Sequence, residues 1–236
     1  RKAIILGDRY RGKNGRFQGS TGYRGDFARH AFDTKTVTAI GRESDTDNSI
    51  IEPHVDTQVG AGRRIGNRDK GLLVWRGAPL IEHVCDRLKA QTDKILISCN
   101  RNAQVYSAYA DQVIVDRREG FQGPLAGIES ALSYAPGPLL LVTPCDIPFV
   151  PLDLAQRLVA ALRASPGADI AHARCDGRDH YLCVVLRTDT LAHLSEFLDR
   201  GGRAVRDWFA TRGTVAVDFS DPAAFLNVNT GSCEQP

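Results

Sequence analysis

Asp146 is the residue of this chain whose position most clearly indicates chemistry. It ends PLLLVTPCD, the most apolar run of the sequence, and Ile-Pro-Phe follows directly. A carboxylate at the end of a buried strand is costly unless it is paired or binds a cation, and Asp offers the hard oxygen atoms that Mg²⁺ prefers. The sequence therefore predicts that Asp146 is a magnesium ligand. The competing interpretation, an N-cap of the following helix, suits Asp153 better.

Polar side chains also follow two other apolar runs. Asn100 and Arg101 follow KILISC, and Asp116 follows VIV. In an open, mostly parallel sheet the ligand lies beyond the carboxyl ends of the strands. We therefore expect Asn100, Asp116 and Asp146 to meet at one edge of such a sheet.

A basic, glycine-rich segment, GAGRRIGNRDKG (60–71), contains Lys70 near its end. A lysine after a glycine turn can reach phosphate oxygens as a point charge, and Arg63 and Arg64 add positive field. The segment is neither a Walker A motif nor a dinucleotide-binding fingerprint, and solvated loops share its composition. Combined with carboxylates suited to a metal ion, it predicts nucleoside triphosphate chemistry.

Strands and helices are predicted to alternate from about residue 70, which places these residues on an α/β fold. Apolar runs predict strands at 71–75 (a short strand or turn edge), 94–99, 112–116, 138–146, 169–174, 181–186 and 214–219. Apolar residues at helical spacing predict helices at 78–91, 123–135, 152–165, 190–201 and 203–213. Such alternation is typical of a mostly parallel sheet with helices on both faces.

The composition is that of an ordinary soluble domain. The net charge of +2 does not indicate a nucleic-acid or membrane partner, and no apolar run reaches the length of about 18 residues that a membrane span requires. None of the six cysteines forms a CxxC pair, and most lie inside apolar runs. We interpret them as buried, reduced thiols of a cytoplasmic protein rather than as a zinc site.

Residues 1–54 differ from residues 55–236, which we take as the catalytic domain. The first part contains GDRYRGKNGRFQGSTGYRGD and shows no sustained helix or strand period. Arginines and aromatic residues among glycines could form an RNA-binding arm. A disordered or mistranslated extension is the favoured interpretation, because acidic residues nearly balance the basic ones and the chain begins with Arg instead of Met.

The sequence resembles the molybdenum cofactor guanylyltransferases, a MobA-like family of nucleotidyltransferases. The matching motifs are collinear, and they are GxGRRxGNRDKGLL (60–73), GxPLIExVxxRL (77–88), ISCNRN (97–102), VIVD (113–116), GFQGPLAGI (120–128), LLVTPCDIPFVPxDL (140–154), GRDHYLCVVL (177–186), VDFSD (217–221) and FLNVNT (225–230). The resemblance implies a three-layer α/β/α fold with a Rossmann-like sheet, of the nucleotide-diphospho-sugar transferase type.

What the resemblance implies for function is transfer of GMP from GTP to molybdenum-bearing molybdopterin, with Mg²⁺ and release of pyrophosphate. Lys70 and Asp146 would be catalytic, Asp146 would hold the metal, and Asn227 and Asn229 would face the acceptor. GTP would contact Gly60, Gly62, Arg64, Lys70, Ser98, Asn100, Asp116, Gly123, Pro124 and Asp146. Proteins that insert the cofactor or act as its chaperones would be partners.

The chain departs from this family just before Gly60. Family members have an apolar strand that runs into Leu-Ala-Gly-Gly, whereas Thr57, Gln58 and Val59 stand before Gly60 here. The sequence therefore predicts a sheet that lacks its central strand. Three alternatives follow: a cytidylyltransferase acting on the same cofactor, another nucleotidyltransferase, or a relative impaired by its altered first loop.

Overall fold

The computed structural model describes residues 3–7, 69–92, 94–118, 123–135 and 137–228. Within them, a seven-stranded sheet has the order β5-β4-β1-β6-β8-β7-β9, and β2 and β3 form a separate hairpin. The strands are β1 (Ala3–Gly7), β2 (Val74–Trp75), β3 (Ala78–Pro79), β4 (Ile95–Ser98), β5 (Gln112–Ile114), β6 (Leu139–Pro144), β7 (Ile170–Cys175), β8 (Arg178–Arg187) and β9 (Thr214–Phe219).

Five of the seven strands of the sheet run in one direction. β4, β5, β6, β7 and β9 share one direction, whereas β1 and β8 run antiparallel to their neighbours. From the centre, the strands continue to β4 and β5 on one side and to β6 on the other, as in a Rossmann-like sheet. The predicted α/β class is confirmed. Most strands share one direction, as predicted, but only two of the six neighbouring pairs of this sheet, β4–β5 and β7–β9, are parallel, because β1 and β8 are reversed.

β1 lies at the centre of the sheet, where the sequence predicted that a strand would be missing. Its backbone pairs with β4 on one side and with β6 on the other, so that Ile4 lies opposite both Ile97 and Thr143. The central position is thus filled by residues 3–7, but in the direction opposite to that of β4 and β6. Consequently the amino end of β1, at Ala3, lies opposite Pro144 at the carboxyl end of β6.

The helices are α1 (Leu80–Lys89), α2 (Ala103–Tyr106), α3 (Pro124–Tyr134), α4 (Leu154–Ala164), α5 (Leu191–Asp199) and α6 (Val205–Phe209). Short 3₁₀ turns cover Lys70–Leu72, Thr188–Thr190 and Pro222–Phe225. α1 forms because its apolar residues make one buried stripe, which consists of Leu80, Ile81, Val84, Cys85 and Leu88. Asp153 is the N-cap residue of α4, as predicted, although its side chain makes no capping hydrogen bond.

Two predicted elements differ in the structure. The expected strand at 71–75 is a 3₁₀ turn followed by the hairpin β2–β3, whose turn residues Arg76 and Gly77 both have positive φ. Positive φ at both central residues is what a tight hairpin of this kind requires. The helix expected at 203–213 is only Val205–Phe209, and α2 was not predicted, because four residues cannot show a helical period.

Every residue of β4 and β6 is buried, so these two strands form the middle of the core. Cys85, Cys175 and Cys183 are buried free thiols, and Cys99 and Cys145 are buried as well, which confirms the burial predicted for these five; Cys233 lies outside the described residues. No helix in the described part of the chain is both long and apolar enough to cross a membrane.

Candidate nucleotide and metal site

Asp116 and the polar residues that follow β4 form one hydrogen-bonded group. Ser98 Oγ donates to Asp116 Oδ1 over 3.2 Å, and Asn100 Nδ2 donates to Asp116 Oδ2 over 3.0 Å. The backbone N–H of Asp116 in turn donates to Asn100 Oδ1 over 3.0 Å. Burial raises the pKa of Asp116, and these hydrogen bonds only partly offset that rise. The three residues therefore do lie together, and their arrangement presents a fixed carboxylate at the carboxyl end of β5.

Asp146 lies just beyond β6 with only 1% of its surface exposed. Its Oδ2 accepts a hydrogen bond from Asn227 Nδ2 over 2.8 Å, and Lys70 Nζ lies 3.7 Å from the same oxygen. The backbone N–H of Val228 donates to the Asp146 carbonyl over 2.9 Å, which ties the Asn227 segment to the strand end. Three of the residues that the resemblance implied are thus brought together around one buried carboxylate.

The surroundings of the other carboxylate oxygen of Asp146, Oδ1, test whether the expected metal ion could bind there. Oδ1 is buried and has no hydrogen-bond partner among the described residues. Buried polar atoms are rarely left in this state, and a carboxylate oxygen held this way fits a hard cation. No cluster of three or more His, Cys, Asp or Glu suited to a metal occurs among the described residues. Mg²⁺ commonly takes one or two carboxylates and completes its shell with water and substrate phosphates, so one carboxylate fits it.

Lys70 is held at this edge by the residue that precedes it. Asp69 is the N-cap of the 3₁₀ turn, and its Oδ1 accepts hydrogen bonds from Gly71 N over 3.1 Å and from Tyr106 Oη over 2.5 Å. Asn102 Nδ2 donates to the other oxygen of Asp69 over 3.0 Å. Neither Asp69 nor Tyr106 was predicted as a site residue. The available signal was an Asp at an N-cap position directly before the lysine.

α3 begins next to the site at Gly123 and Pro124. Gly123 has φ +77, a conformation that favours glycine, and Pro124 occupies the first turn of the helix, where its missing N–H costs nothing. Pro124 also lines the cavity beside Asp146. The structure therefore places Pro124 near Asp146, with Gly123 directly before it at the entry to the helix.

An ion-pair cluster fixes the residues that follow Asp116 to α3 and α5. Arg118 makes two hydrogen bonds of 2.7 Å to the buried Glu129 and one of 2.7 Å to Asp199. Burial opposes ionisation of Glu129, but the hydrogen bonds from Arg118 outweigh it and lower the pKa of Glu129. The backbone N–H of Arg117 donates to Ser130 Oγ over 2.8 Å. This cluster limits how far the end of β5 can move.

A cavity of about 650 Å³ opens beside Asp146 and Asn227. An irregularity in β8 forms one wall: the register jumps from His172 opposite Val184 to Ala173 opposite His180, so residues 181–183 have no partner on β7. Bulges re-aim side chains, and they recur next to binding sites. Here residues 181–183 all line the cavity, together with Arg178 and Arg206.

The cavity wall carries both cationic and neutral groups. His180 stacks on Phe225 with ring centroids 4.5 Å apart, and burial, followed by the charge of Arg178, lowers its pKa. Asp179 accepts from Arg174 over 2.7 Å and lies 3.0 Å from His172. Although burial opposes it, hydrogen bonding lowers the pKa of Asp179 to about 2. The wall thus combines an imidazole of lowered pKa with the guanidinium groups of Arg178 and Arg206.

Four of the expected contact residues cannot be placed, because Gly60, Gly62, Arg64 and Asn229 lie outside the described residues. The altered segment Thr57–Val59 does too. Their roles stay predictions.

Comparison with known proteins identifies the family. The family model described as MobA-like NTP transferase domain matches residues 59–215. The molybdenum cofactor guanylyltransferase of Shewanella piezotolerans is 40% identical over 177 residues, which are 75% of this chain and 86% of that protein. The one from Shewanella loihica is 39% identical over 189 residues, which are 78% of this chain and 96% of that protein.

Solved structures show the fold. Molybdopterin-guanine dinucleotide biosynthesis protein A from Archaeoglobus fulgidus aligns with a TM-score of 0.59 and 24% identity, covering 72% of this chain and 89% of that one. The 2-C-methyl-D-erythritol 4-phosphate cytidylyltransferase of Thermus thermophilus aligns with a TM-score of 0.54 and 18% identity, covering 70% and 90%. The fold is therefore the three-layer fold of nucleotidyltransferases, as expected. The family model matches more than half of the chain, and the Shewanella relatives align over most of their own length. This chain therefore belongs to the MobA-like nucleotidyltransferases, among the molybdenum cofactor guanylyltransferases.

Proposed function

We propose that this chain transfers GMP from GTP to molybdenum-bearing molybdopterin and releases pyrophosphate, as a step of molybdenum cofactor biosynthesis. The observation that carries the proposal is the buried Asp146 carboxylate, with Lys70 3.7 Å and Asn227 2.8 Å from the same oxygen. This group lies between the Asp116 cluster and the cavity of about 650 Å³. A nucleotide and an acceptor can therefore both reach it.

The reaction requires the positioning of two anions more than it requires a base. A phosphate oxygen of the acceptor attacks the α-phosphorus of GTP, and the bond from that phosphorus to the oxygen of the leaving pyrophosphate breaks. A phosphate monoester has its second pKa at about 6, so the nucleophile is already largely ionised near neutral pH. No residue has to remove a proton. The task of the protein is to hold the reactants in line and to stabilise the charge that develops.

Lys70 and Asp146 suit this task. Lys70 brings a positive charge to the edge where triphosphate oxygens would lie, and it remains 37% exposed, so it can reach a ligand. The unpartnered Oδ1 of Asp146 would hold Mg²⁺. When bound, that ion would neutralise charge on the triphosphate and the departing pyrophosphate. Asn227 fixes the direction of the carboxylate through its hydrogen bond to Oδ2.

Asp116 supports GTP over CTP as the donor. Guanine presents two adjacent N–H donors on its pairing edge, and a carboxylate can accept both at once. Cytosine presents only its N4 amino group as a donor there. Ser98 and Asn100 already fix the orientation of the Asp116 carboxylate. Strands are about 4.8 Å apart, so the three intervals from β5 to β6 span about 14 Å, along which base and phosphates would lie.

The cavity beside Asp146 is the proposed place of the acceptor. Arg178 and Arg206 line it and would attract an anionic phosphate, and Asn227 lies on its Asp146 side. His180 and Phe225 offer flat, uncharged surfaces to a ring system. These features suit a phosphorylated heterocycle, the class to which molybdopterin belongs.

The test is the Asp146→Asn variant, which keeps the side-chain shape and removes the charge. We expect GMP transfer to fall by at least about 10²-fold, the usual loss when a positioned charge disappears from a reaction centre. The exposed Asp153, substituted by Asn, is the matched control and should retain full turnover. Transfer above about a tenth of the unaltered rate in Asp146→Asn would contradict the proposed role.

We also propose a reducing compartment, the cytoplasm, because Cys85, Cys175 and Cys183 are buried free thiols. Cofactor-insertion and chaperone proteins stay predicted partners.

A further inference from the structure

The Asp69–Tyr106 pair is a buried charged hydrogen bond next to the site, and the proposed chemistry does not use it directly. Tyr106 is fully buried and Asp69 is 8% exposed, yet a carboxylate and a hydroxyl meet there at 2.5 Å. Burial, then nearby Cys145 and Asp69, raises the pKa of Tyr106, so the hydroxyl keeps its proton and donates. Such a bond is stronger than a neutral one and is costly to break inside a protein.

The pair connects the lysine-bearing turn to the sheet. Tyr106 ends α2, and α2 follows β4, whose carboxyl end forms the same edge as Asp146. Asn102, just before α2, donates to the second oxygen of Asp69, so both oxygens are used. The carboxylate therefore fixes the turn against α2 at two points, and Lys70 is the next residue along the chain.

Gly71 shows how closely the turn approaches Tyr106. Its N–H donates to the same Asp69 oxygen that the Tyr106 hydroxyl contacts. A Cβ atom on Gly71 would overlap the Tyr106 hydroxyl. The turn and the tyrosine are thus fitted to each other at the residues on both sides of Lys70.

Side-chain contacts hold the turn at the edge that carries Asp146. Asp69 accepts hydrogen bonds from Tyr106 and Asn102, which belong to the segment that follows β4. β1 ends on the other edge of the sheet, where Gly7 lies opposite Leu140 near the amino end of β6.

We propose that Asp69 and Tyr106 are positioning residues for Lys70, which together hold its ammonium group where nucleotide phosphates bind. The inference rests on the proposed function for the identity of the nucleotide, but not for the placement of the lysine. Tyr106 touches no substrate and acts through Asp69. Loss of the Tyr106 hydroxyl is expected to displace the Lys70 ammonium group.

The test is a double-mutant cycle that combines Tyr106→Phe with Lys70→Ala, read out as the Kd for GTP with Mg²⁺ by calorimetry. Tyr106→Phe keeps the ring and removes the hydroxyl. We expect it to weaken GTP binding about tenfold, as for loss of a hydrogen bond to a charged group. In the Lys70→Ala background it should add less than about twofold, because there is no ammonium left to misplace. Equal effects in both backgrounds would show a merely structural role and overturn the proposal.

Tyr109→Phe is the matched control. Tyr109 lies one turn further along and packs partly buried against the core. Its hydroxyl has no part in the Asp69 group, and its substitution should leave GTP affinity unchanged. A loss as large as that of Tyr106→Phe would contradict the specific role of Tyr106.

A second readout separates this proposal from the proposed function. The rate of Lys70 acetylation, measured by mass spectrometry without nucleotide, should rise at least about threefold in Tyr106→Phe relative to Lys89 in the same protein, because a coupling of this size loosens the turn. If the unaltered chain binds no GTP, the proposed function fails, and the labelling still decides the role of Tyr106. An unchanged labelling rate would overturn the positioning role even if GTP binds.

Discussion

Substitution of Arg118 by Ala should destabilise the protein strongly, because it leaves a buried carboxylate without its partner. Arg118 makes two hydrogen bonds of 2.7 Å to Glu129, whose side chain is only 6% exposed. Removing one partner of a fully buried pair costs about 3 to 5 kcal/mol. The Arg118 side chain is 24% exposed, so water can partly replace it. We therefore expect a loss of about 2 to 3 kcal/mol in the free energy of unfolding.

The measurement is urea unfolding followed by circular dichroism, supported by thermal melts. For a chain of this size the expected loss corresponds to a fall in Tm of roughly 4 to 12 °C. Arg200→Ala is the control, because Arg200 forms an exposed i,i+4 pair with Glu196 and should change stability by no more than about 0.5 kcal/mol.

The pH dependence supplies an independent check on this cluster. The pKa of Glu129 lies below its ordinary value of 4.5, so the pair stabilises the folded state above about that pH and loses this effect as the pH falls through the lowered pKa. Arg118→Ala should remove this acid sensitivity. If Arg118→Ala were as stable as Arg200→Ala, or kept the acid sensitivity, the assigned energetic role of the cluster would be wrong.

Three other perturbations test single contacts. Gly71→Ala should lower the free energy of unfolding because its Cβ would overlap the Tyr106 hydroxyl, and this loss should be smaller in the Tyr106→Phe background; an equal loss in both backgrounds would contradict the close approach. Asp116→Asn should reduce the preference for GTP over CTP in turnover assays, since an amide cannot accept at both oxygen positions; an unchanged ratio would contradict the base contact. Asp179→Asn should flatten the stability profile between about pH 4 and pH 2, because the pKa of Asp179 falls from 3.8 to about 2 on folding; an unaltered profile would refute this.

The polar residues at the strand ends were predictable from the sequence, because each directly follows an apolar run of its own. Asp116 and Asn100 follow separate apolar runs, and the rule that parallel strands present their carboxyl ends at one edge is enough to bring them together. Asn227 was different: it lies 81 residues from Asp146 along the chain, and only the family resemblance placed them in one site. Periodicity carries no information about a contact of that kind.

The contacts that fix the site were hidden for physical reasons. Tyr106 lies in a helix of four residues, which is too short for a hydrophobic period, and its partner Asp69 is 37 residues away. The irregularity of β8 was hidden for the opposite reason: YLCVVL is uniformly apolar, so nothing in it marks residues 181–183 as unpaired. Both features depend on three-dimensional packing rather than on local pattern.

The attachment of the lysine turn shows how the site depends on side chains. Both oxygens of Asp69 accept hydrogen bonds from the segment after β4, one from Tyr106 and one from Asn102. These contacts join the turn to the edge that carries Asp146, the edge at which Pro144 ends β6 opposite Ala3 of β1. A lysine that depends on such contacts should be sensitive to loss of a single hydroxyl, which is why the Tyr106→Phe cycle tests the architecture as well as the residue.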